Sequence, residues 1–328
     1  MWALVRRAQG SGARAGGSHG AAWVIGALCA LEETHDWDTP TAEVILGTSA
    51  GAIVGSMLAI GLRPADLRDH QRGVAVASGP ASGVLVDYDT WVGGARPHAP
   101  RPGIGSLKLL GDLARHPHHL PFTMLRAACA PPVRGSLDGI RELIRPLDAV
   151  DDWPDKPALR VVAVGLDSGT RALFGTPGAP PADLASAVTA SCAIPAWFTP
   201  VQIDEHRLVD GCAWSDTNLD LLAGEGLEEV IVLAPTCARR MDRPHGLPAR
   251  VERRLRRIAT RRMLHEADIV RAGGTHVRLI VPGPEDLTVM GANLRNPAHR
   301  LTVLETSMKT TPEALRSPCA TWTAKPPA

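Results

Sequence analysis

Gly47-Thr48-Ser49-Ala50-Gly51 is the segment whose residue types and spacing most clearly suit chemistry. A serine exposed at a strand end sits on a strained strand-to-helix turn, where only small neighbours let the two backbones pass. The flanks meet that requirement. Ala42–Leu46 is a compact apolar run of strand length, and Ala50–Ile60 reads as a helix kept slim at its start by Ala50, Gly51, Ala52 and Gly55. The positive end of that helix points at Ser49 and favours negative charge developing beside it. The chemistry implied is nucleophilic attack on a carbonyl. A chance G-x-S-x-G in a chain with 32 glycines is the bland alternative, and the flanks weigh against it.

Acyl transfer also requires donors aimed at the tetrahedral oxyanion. Gly16-Gly17-Ser18-His19-Gly20 precedes an apolar helical stretch, Gly20–Thr34, and its backbone amides could supply them. The same glycines could cradle a phosphate. Against that, Ala15 breaks a full G-x-G-x-x-G, and no Gly-Lys-Ser/Thr follows either glycine loop. Gly10-Ser11-Gly12-Ala13-Arg14 is a rival loop, but it is detached from the helix.

A base must accept the serine proton, and none of the twelve histidines has a convincing strand-end setting. His206 falls in a hairpin turn, and His116, His118 and His119 lack partners at metal-ligand spacing, so solvated loops are the simpler reading. Asp210-Gly211 follows the short strand Arg207–Val209 directly. A lone carboxylate there is well placed to take a proton from Ser49, although an Asp closing a turn through its own Asx bond would look the same in sequence.

These pieces, in this order, resemble the patatin-like phospholipases, in which a Gly-rich oxyanion loop, G-x-S-x-G and a distant D-G-[GA] form a Ser–Asp dyad without histidine. Ala190-Ser191-Cys192-Ala193-Ile194-Pro195, then Phe198-x-Pro200-Val201 and Leu208-Val209-Asp210-Gly211, extend the similarity, and Asn218 stands where the family often has Asn. The similarity is dense over 1–61 and 159–236. It departs at Ala15, which replaces the first loop glycine, at His19, at Cys212 in the third position of the D-G box, and in the residues Arg6–Arg14 that separate the first strand from the loop. The resemblance implies Ser49 as nucleophile, Asp210 as base, Gly16, Gly17 and Ser18 as oxyanion loop, and Gly47, Gly51 and Gly211 as motif glycines. It further implies a three-layer α/β/α fold around a mostly parallel sheet. The implied activity is hydrolysis of fatty-acyl esters of phospholipids, lysophospholipids or acylglycerols, with no metal and no cofactor. A catalytically decayed lipid- or membrane-binding protein on the same fold is the alternative.

The elements that would position these residues follow from apolar periodicity. Trp2–Val5, Leu159–Leu166, Arg171–Phe174, Glu229–Ala234 and Val277–Val281 read as strands, Val201–Ile203 and Arg207–Val209 as a hairpin, and Pro181–Ala190 and Arg250–Ala272 as helices. Residues 62–135, with Gly93–Gly105 rich in Pro and Gly, read as a loop-rich excursion over a site, whose stretches Leu107–Leu113 and Leu120–Leu125 are candidates for an acyl channel or for ordinary packing. Residues 1–316 are expected to form a single domain and 317–328 a frayed tail.

Composition bounds the rest. With 45% hydrophobic and 21% charged residues, the 328-residue chain can bury a core of its own. A net charge of +1 and 4% aromatic residues argue against nucleic acid as a partner. The six cysteines include no C-x-x-C, so reduced thiols are expected. There is neither a signal-peptide pattern nor an apolar span of about 18 residues, which sets a cytoplasmic protein, peripheral at the membrane at most, as the default. The near-zero net charge conceals an asymmetry. Arg239–Arg262 holds ten Arg against Asp242 and Glu252, a local +8 that leaves about −7 elsewhere. That stretch is either a solvated basic helix or a peripheral contact with an anionic membrane.

Overall fold

The structure is a computed structural model and describes residues 3–6, 10–13, 17–34, 37–77, 82–83, 104–115, 124, 127–129, 136–145, 153–292 and 299–316. The chain opens with β1 (Ala3–Arg6) and β2 (Gly10–Ala13), followed by the helix α1 (Gly17–Thr34). β3 (Val44–Gly47) leads into α2 (Ala50–Ala59), and α3 (Pro64–Gln71), α4 (Leu107–Arg115) and α5 (Asp138–Ile144) come next. The middle of the chain supplies β4 (Ala158–Gly165), β5 (Arg171–Phe174), α6 (Leu184–Ser191), β6 (Val201–Ile203) and β7 (His206–Asp210). The last part supplies β8 (Glu229–Leu233), the long α7 (Leu247–Ala272), β9 (His276–Ile280), α8 (Pro284–Met290) and α9 (Arg300–Arg316).

All the described strands join one sheet, in the order β6-β7-β4-β3-β1-β2-β8-β9, with β5 paired to β4 alone. Its parallel part is β3 with β4, β2 with β3 and β8, and β8 with β9. β1, β5, β6 and β7 pair antiparallel with their neighbours, so the sheet is mixed rather than uniformly parallel.

The three layers follow from the period-2 alternation of the central strands. Ile45, Leu159, Val161, Ile231 and Leu233 face a core shared with α1, α2 and α6. Their sequence neighbours Val44, Leu46, Val162, Val230 and Val232 face a second core, closed by Ala259, Met263, Ala267 and Val270 of α7. α1 is buried on every side from Ser18 to Leu31, as a helix apolar all round must be. It packs on α9, where a side chain at Gly26 would run into the Leu304 carbonyl and Ser307. A third, smaller core joins Leu109 of α4, Met124, Ala127 and Ala128 to Val164, Leu166, Val209 and Ala213, beside the end of β7. The described part of the excursion is therefore anchored next to Asp210.

Two elements differ from the sequence expectation. Gly10–Ala13 is a strand, not a loop, so the segment that leads into α1 is β2 rather than Trp2–Val5. Its Gly-Ser-Gly-Ala composition carries no strand propensity; its place in the sheet comes from the ladders of β3 and β8 on either side. α1 begins at Gly17, three residues before the expected start.

α7 is built against the usual rule. Arg253 and Arg256 point inward and are buried. Arg253 pairs with Asp242 and Glu252 and donates to the Leu287 carbonyl at 2.7 Å. Arg256 pairs with Glu252 and donates to the Cys237 carbonyl at 2.9 Å. Two of the ten arginines of 239–262 are thus structural. No described helix is long and apolar enough to cross a membrane. None of the described cysteines is in a disulfide: Cys29, Cys192 and Cys237 are buried, Cys212 is half-buried and Cys129 exposed. The tail 317–328, Cys319 and the cluster His116, His118 and His119 lie outside the described residues.

Candidate active site

Ser49 stands between the end of β3 and the first turn of α2, with φ 55° and ψ −123°. Only glycine adopts such a conformation without strain, and elsewhere it is held by surrounding structure at a cost of about 1–3 kcal/mol. What holds it is visible. The Ser49 amide donates to the Ser191 Oγ at 2.8 Å, and that hydroxyl donates to the Val162 carbonyl at 2.7 Å. The motif glycine before it is required sterically, since a Cβ on Gly47 would lie 2.7 Å from Ala52 Cα and from the Gly51 carbonyl. Gly51 donates to Thr48 and Ala52 to Ser49 through the turn.

Asp210 ends β7 and is buried, 1% exposed. Its register partner is Ala163 of β4, and its amide donates to the Ala193 carbonyl at 2.9 Å. Oδ1 accepts the Cys212 amide at 2.8 Å, so the Asx bond anticipated as an alternative is formed. It uses only one oxygen. Oδ2 is buried and accepts no hydrogen bond. Burial raises the Asp210 carboxyl above the ordinary carboxylate range, opposed by the Cys212 amide and then by the Ser49 hydroxyl. The hydroxyl and carboxylate therefore interact, but without a closed hydrogen bond to Oδ2, the looser spacing common in resting sites. Ser49 also reaches the buried Cys192 thiol, whose ionisation is pushed well up, first by burial and then by the Asp210 charge.

Gly211 lets the two loops meet. A Cβ there would lie 2.6 Å from the Val162 carbonyl and 2.8 Å from Thr48 Cγ2, beside Ser49. Asn218 bridges the same junction from a left-handed backbone position, φ 50°. Its Nδ2 donates to the Ser215 carbonyl at 2.8 Å, and to the Gly211 carbonyl and Thr48 Oγ1, both at 3.3 Å. Behind it the buried Glu266 of α7 accepts the Thr217 hydroxyl and the Leu219 amide, the latter at 3.0 Å. Arg171 of β5 forks onto Asp220 at 2.7 and 2.8 Å and stacks over Trp214 at 5.1 Å.

The oxyanion candidates are placed in part. β2 and β3 run parallel with Ala13 opposite Gly47, so the chain leaves both strands side by side at the edge where Ser49 stands. Gly17 and Ser18 fall in the first turn of α1, whose leading amides have no partner inside the helix. Ser18 is buried with no hydrogen bond at its Oγ. Gly16 lies outside the described residues. His206 is exposed at the start of β7, away from the role of a base. Sequence reasoning assigned no part to Ser191, Cys192, Thr48, Arg171 or Glu266. For Ser191 and Cys192 the motif Ala190–Pro195 was the available signal; for Glu266, one of three acids in an arginine-rich helix, there was none.

The family model described as patatin-like phospholipase matches residues 14–223, from just before α1 to just past Asn218. The chain belongs to the patatin-like phospholipase family. The match includes both Ser49 and Asp210 of this patatin-like chain and stops short of α7. Among solved structures the chain is similar to VipD from Legionella pneumophila, at 15% identity and TM-score 0.43, covering 95% of this chain and 67% of that one. It is also similar to the type III effector protein ExoU, at 15% identity and TM-score 0.36, covering 96% of this chain and 54% of that one, so it spans about half of ExoU. No curated protein matches it.

Proposed function

We propose that this patatin-like chain is a serine lipid acyl hydrolase working through a Ser49–Asp210 dyad. The observation that carries the reading is the strained Ser49 beside a buried carboxylate whose Oδ2 has no other partner. Ser49 Oγ attacks the ester carbonyl as Asp210 takes its proton, and the alcohol departs with that proton. Water, activated by the same carboxylate, then releases the fatty acid and regenerates Ser49. The oxyanion is held by amides at the starts of α1 and α2, from Gly16, Gly17 and Ser18 and from Ala50 after the nucleophile. Each well-aimed donor contributes about 3 kcal/mol to the transition state. The substrates in this reading are phospholipids, lysophospholipids or acylglycerols, residues 1–316 act as one catalytic unit, and no metal takes part.

Labelling with a fluorophosphonate, followed by peptide mapping, tests the dyad. The modification is expected on Ser49, absent in Ser49→Ala and strongly slowed in Asp210→Asn. A folded wild-type protein that is not labelled there would instead be a lipid binder on the same fold.

A further inference from the structure

The first half of α7 departs from the usual amphipathic pattern in two places. Arg253 and Arg256 are buried, whereas Leu247, Val251, Leu255 and Ile258 are 73%, 59%, 53% and 55% exposed. Their spacing of four, four and three residues aligns them in one stripe along the helix. Arg250, Arg254, Arg257 and Arg261, all exposed, form the adjoining stripe on one side. Beside the helix start, Arg243, His245, Leu247, Arg250 and Arg254 line an open groove of about 690 Å³. A continuous exposed apolar stripe of this kind marks an interaction surface.

We propose that this face of α7 docks the protein on an anionic phospholipid bilayer. The four apolar side chains enter the upper acyl region, while the neighbouring arginines meet headgroup phosphates and the groove receives one headgroup. The chemistry selects the partner. Hydrocarbon alone satisfies the apolar stripe, and a negative surface alone satisfies the row of arginines laid beside it. A nucleic acid offers the charge without the hydrocarbon, and a second copy of the chain would set arginine rows of the same sign against each other. Helices that lie in a membrane interface share this make-up, with arginine stems reaching past the buried edge to the phosphates. The same helix holds, through Glu266, the loop that follows Asp210, so the docked face and the candidate site belong to one rigid connection. The inference deepens the lipid-hydrolase reading by naming how the protein meets its substrate layer, and docking itself does not require catalysis.

The test is co-sedimentation with phosphatidylcholine vesicles with and without added phosphatidylglycerol, across a salt series. Wild type is expected to bind the anionic vesicles. Val251→Ser combined with Leu255→Ser is expected to lower partitioning about tenfold or more at every salt concentration. Arg254→Gln combined with Arg257→Gln is expected to lower it about tenfold at low salt and to flatten the salt dependence. Both variants should keep the wild-type Tm and the wild-type rate on a soluble p-nitrophenyl ester, and Ser49→Ala should bind as wild type does. Equal vesicle binding by wild type and the Val251/Leu255 variant overturns the docking surface, as does a wild-type dimer that those substitutions dissociate. Stripe-dependent binding without Ser49-dependent hydrolysis would instead overturn the catalytic reading alone.

Discussion

Ser191 accepts the Ser49 amide at 2.8 Å, and its own hydroxyl proton goes to the Val162 carbonyl at 2.7 Å. One hydroxyl thus fixes the strained elbow to the strand beside it. It also occupies the Ser49 amide, so an oxyanion donor on this side has to come from the next residue. We expect Ser191→Ala to lower kcat about 10- to 100-fold with little change in KM, because misplacing the nucleophile acts on the transition state. Steady-state kinetics on a soluble ester would check it. The variant should also lose about 1–3 kcal/mol of stability from the two buried groups it leaves unpaired, and an unchanged kcat would show that other contacts set the Ser49 geometry.

The backbone at Ser49 is itself a source of instability. Ser49→Gly and Ser49→Ala remove the hydroxyl equally, but only glycine relaxes at φ 55°. Urea denaturation should find the glycine variant more stable than the alanine variant by about 1 kcal/mol. The reverse order would mean the elbow is unstrained.

Asp210 should govern both activity and stability as pH changes. In the proposed mechanism it serves as a base only when ionised, and burial holds its pKa above the ordinary range. Hydrolysis should therefore fall on acidification at a higher pH than a solvent-exposed aspartate would give. For stability the sign is opposite. A carboxyl whose native pKa exceeds its unfolded value contributes fully below the unfolded pKa, and that contribution is lost as pH rises through the native pKa. Asp210→Asn keeps an acceptor for the Cys212 amide without the buried charge. It should be inactive yet more stable than wild type at pH 8 by about 1 kcal/mol, an advantage that disappears in acid. Thermal melts at both pH values would measure it.

Glu266 ties α7 to the loop after Asp210, and its carboxylate also pairs with Arg262 at 2.9 Å. Glu266→Ala strands the Thr217 hydroxyl and the Leu219 amide in a dry setting and should cost about 3 kcal/mol. Glu266→Gln, which preserves one acceptor, should cost less. Equal stability of the two variants would show that the buried acceptor has no such role.

The site was more legible in sequence than the frame that holds it. G-x-S-x-G and D-G are readable because each records a steric necessity: Gly47 passes under the Ala52 backbone, and Gly211 passes the Val162 carbonyl and Thr48. Ser191 was visible within its motif but not its bond to Ser49, since nothing local shows which distant amide a buried hydroxyl will meet. β2 was missed because tertiary pairing overrides its glycine-rich composition. α9 was missed because Arg300–Arg316 mixes four threonines with an internal Pro312 and only a sparse apolar face, Val303, Leu304 and Leu315, against α1. α7, with two of its arginines buried, shows the limit in another form. A count of arginines cannot tell those that build the core from those that face outward.

The Ser49 amide and the Asp210 amide end on the same short stretch of chain, the first on Ser191 and the second on Ala193. Ser49 and Asp210 come from opposite ends of the family-matched region, yet both hang from the turn that closes α6. Their separation is thus indifferent to the length and composition of everything inserted between them. Relatives should be free to rebuild the 62–135 segment for new substrates, whereas a shift of this one turn would move both partners at once.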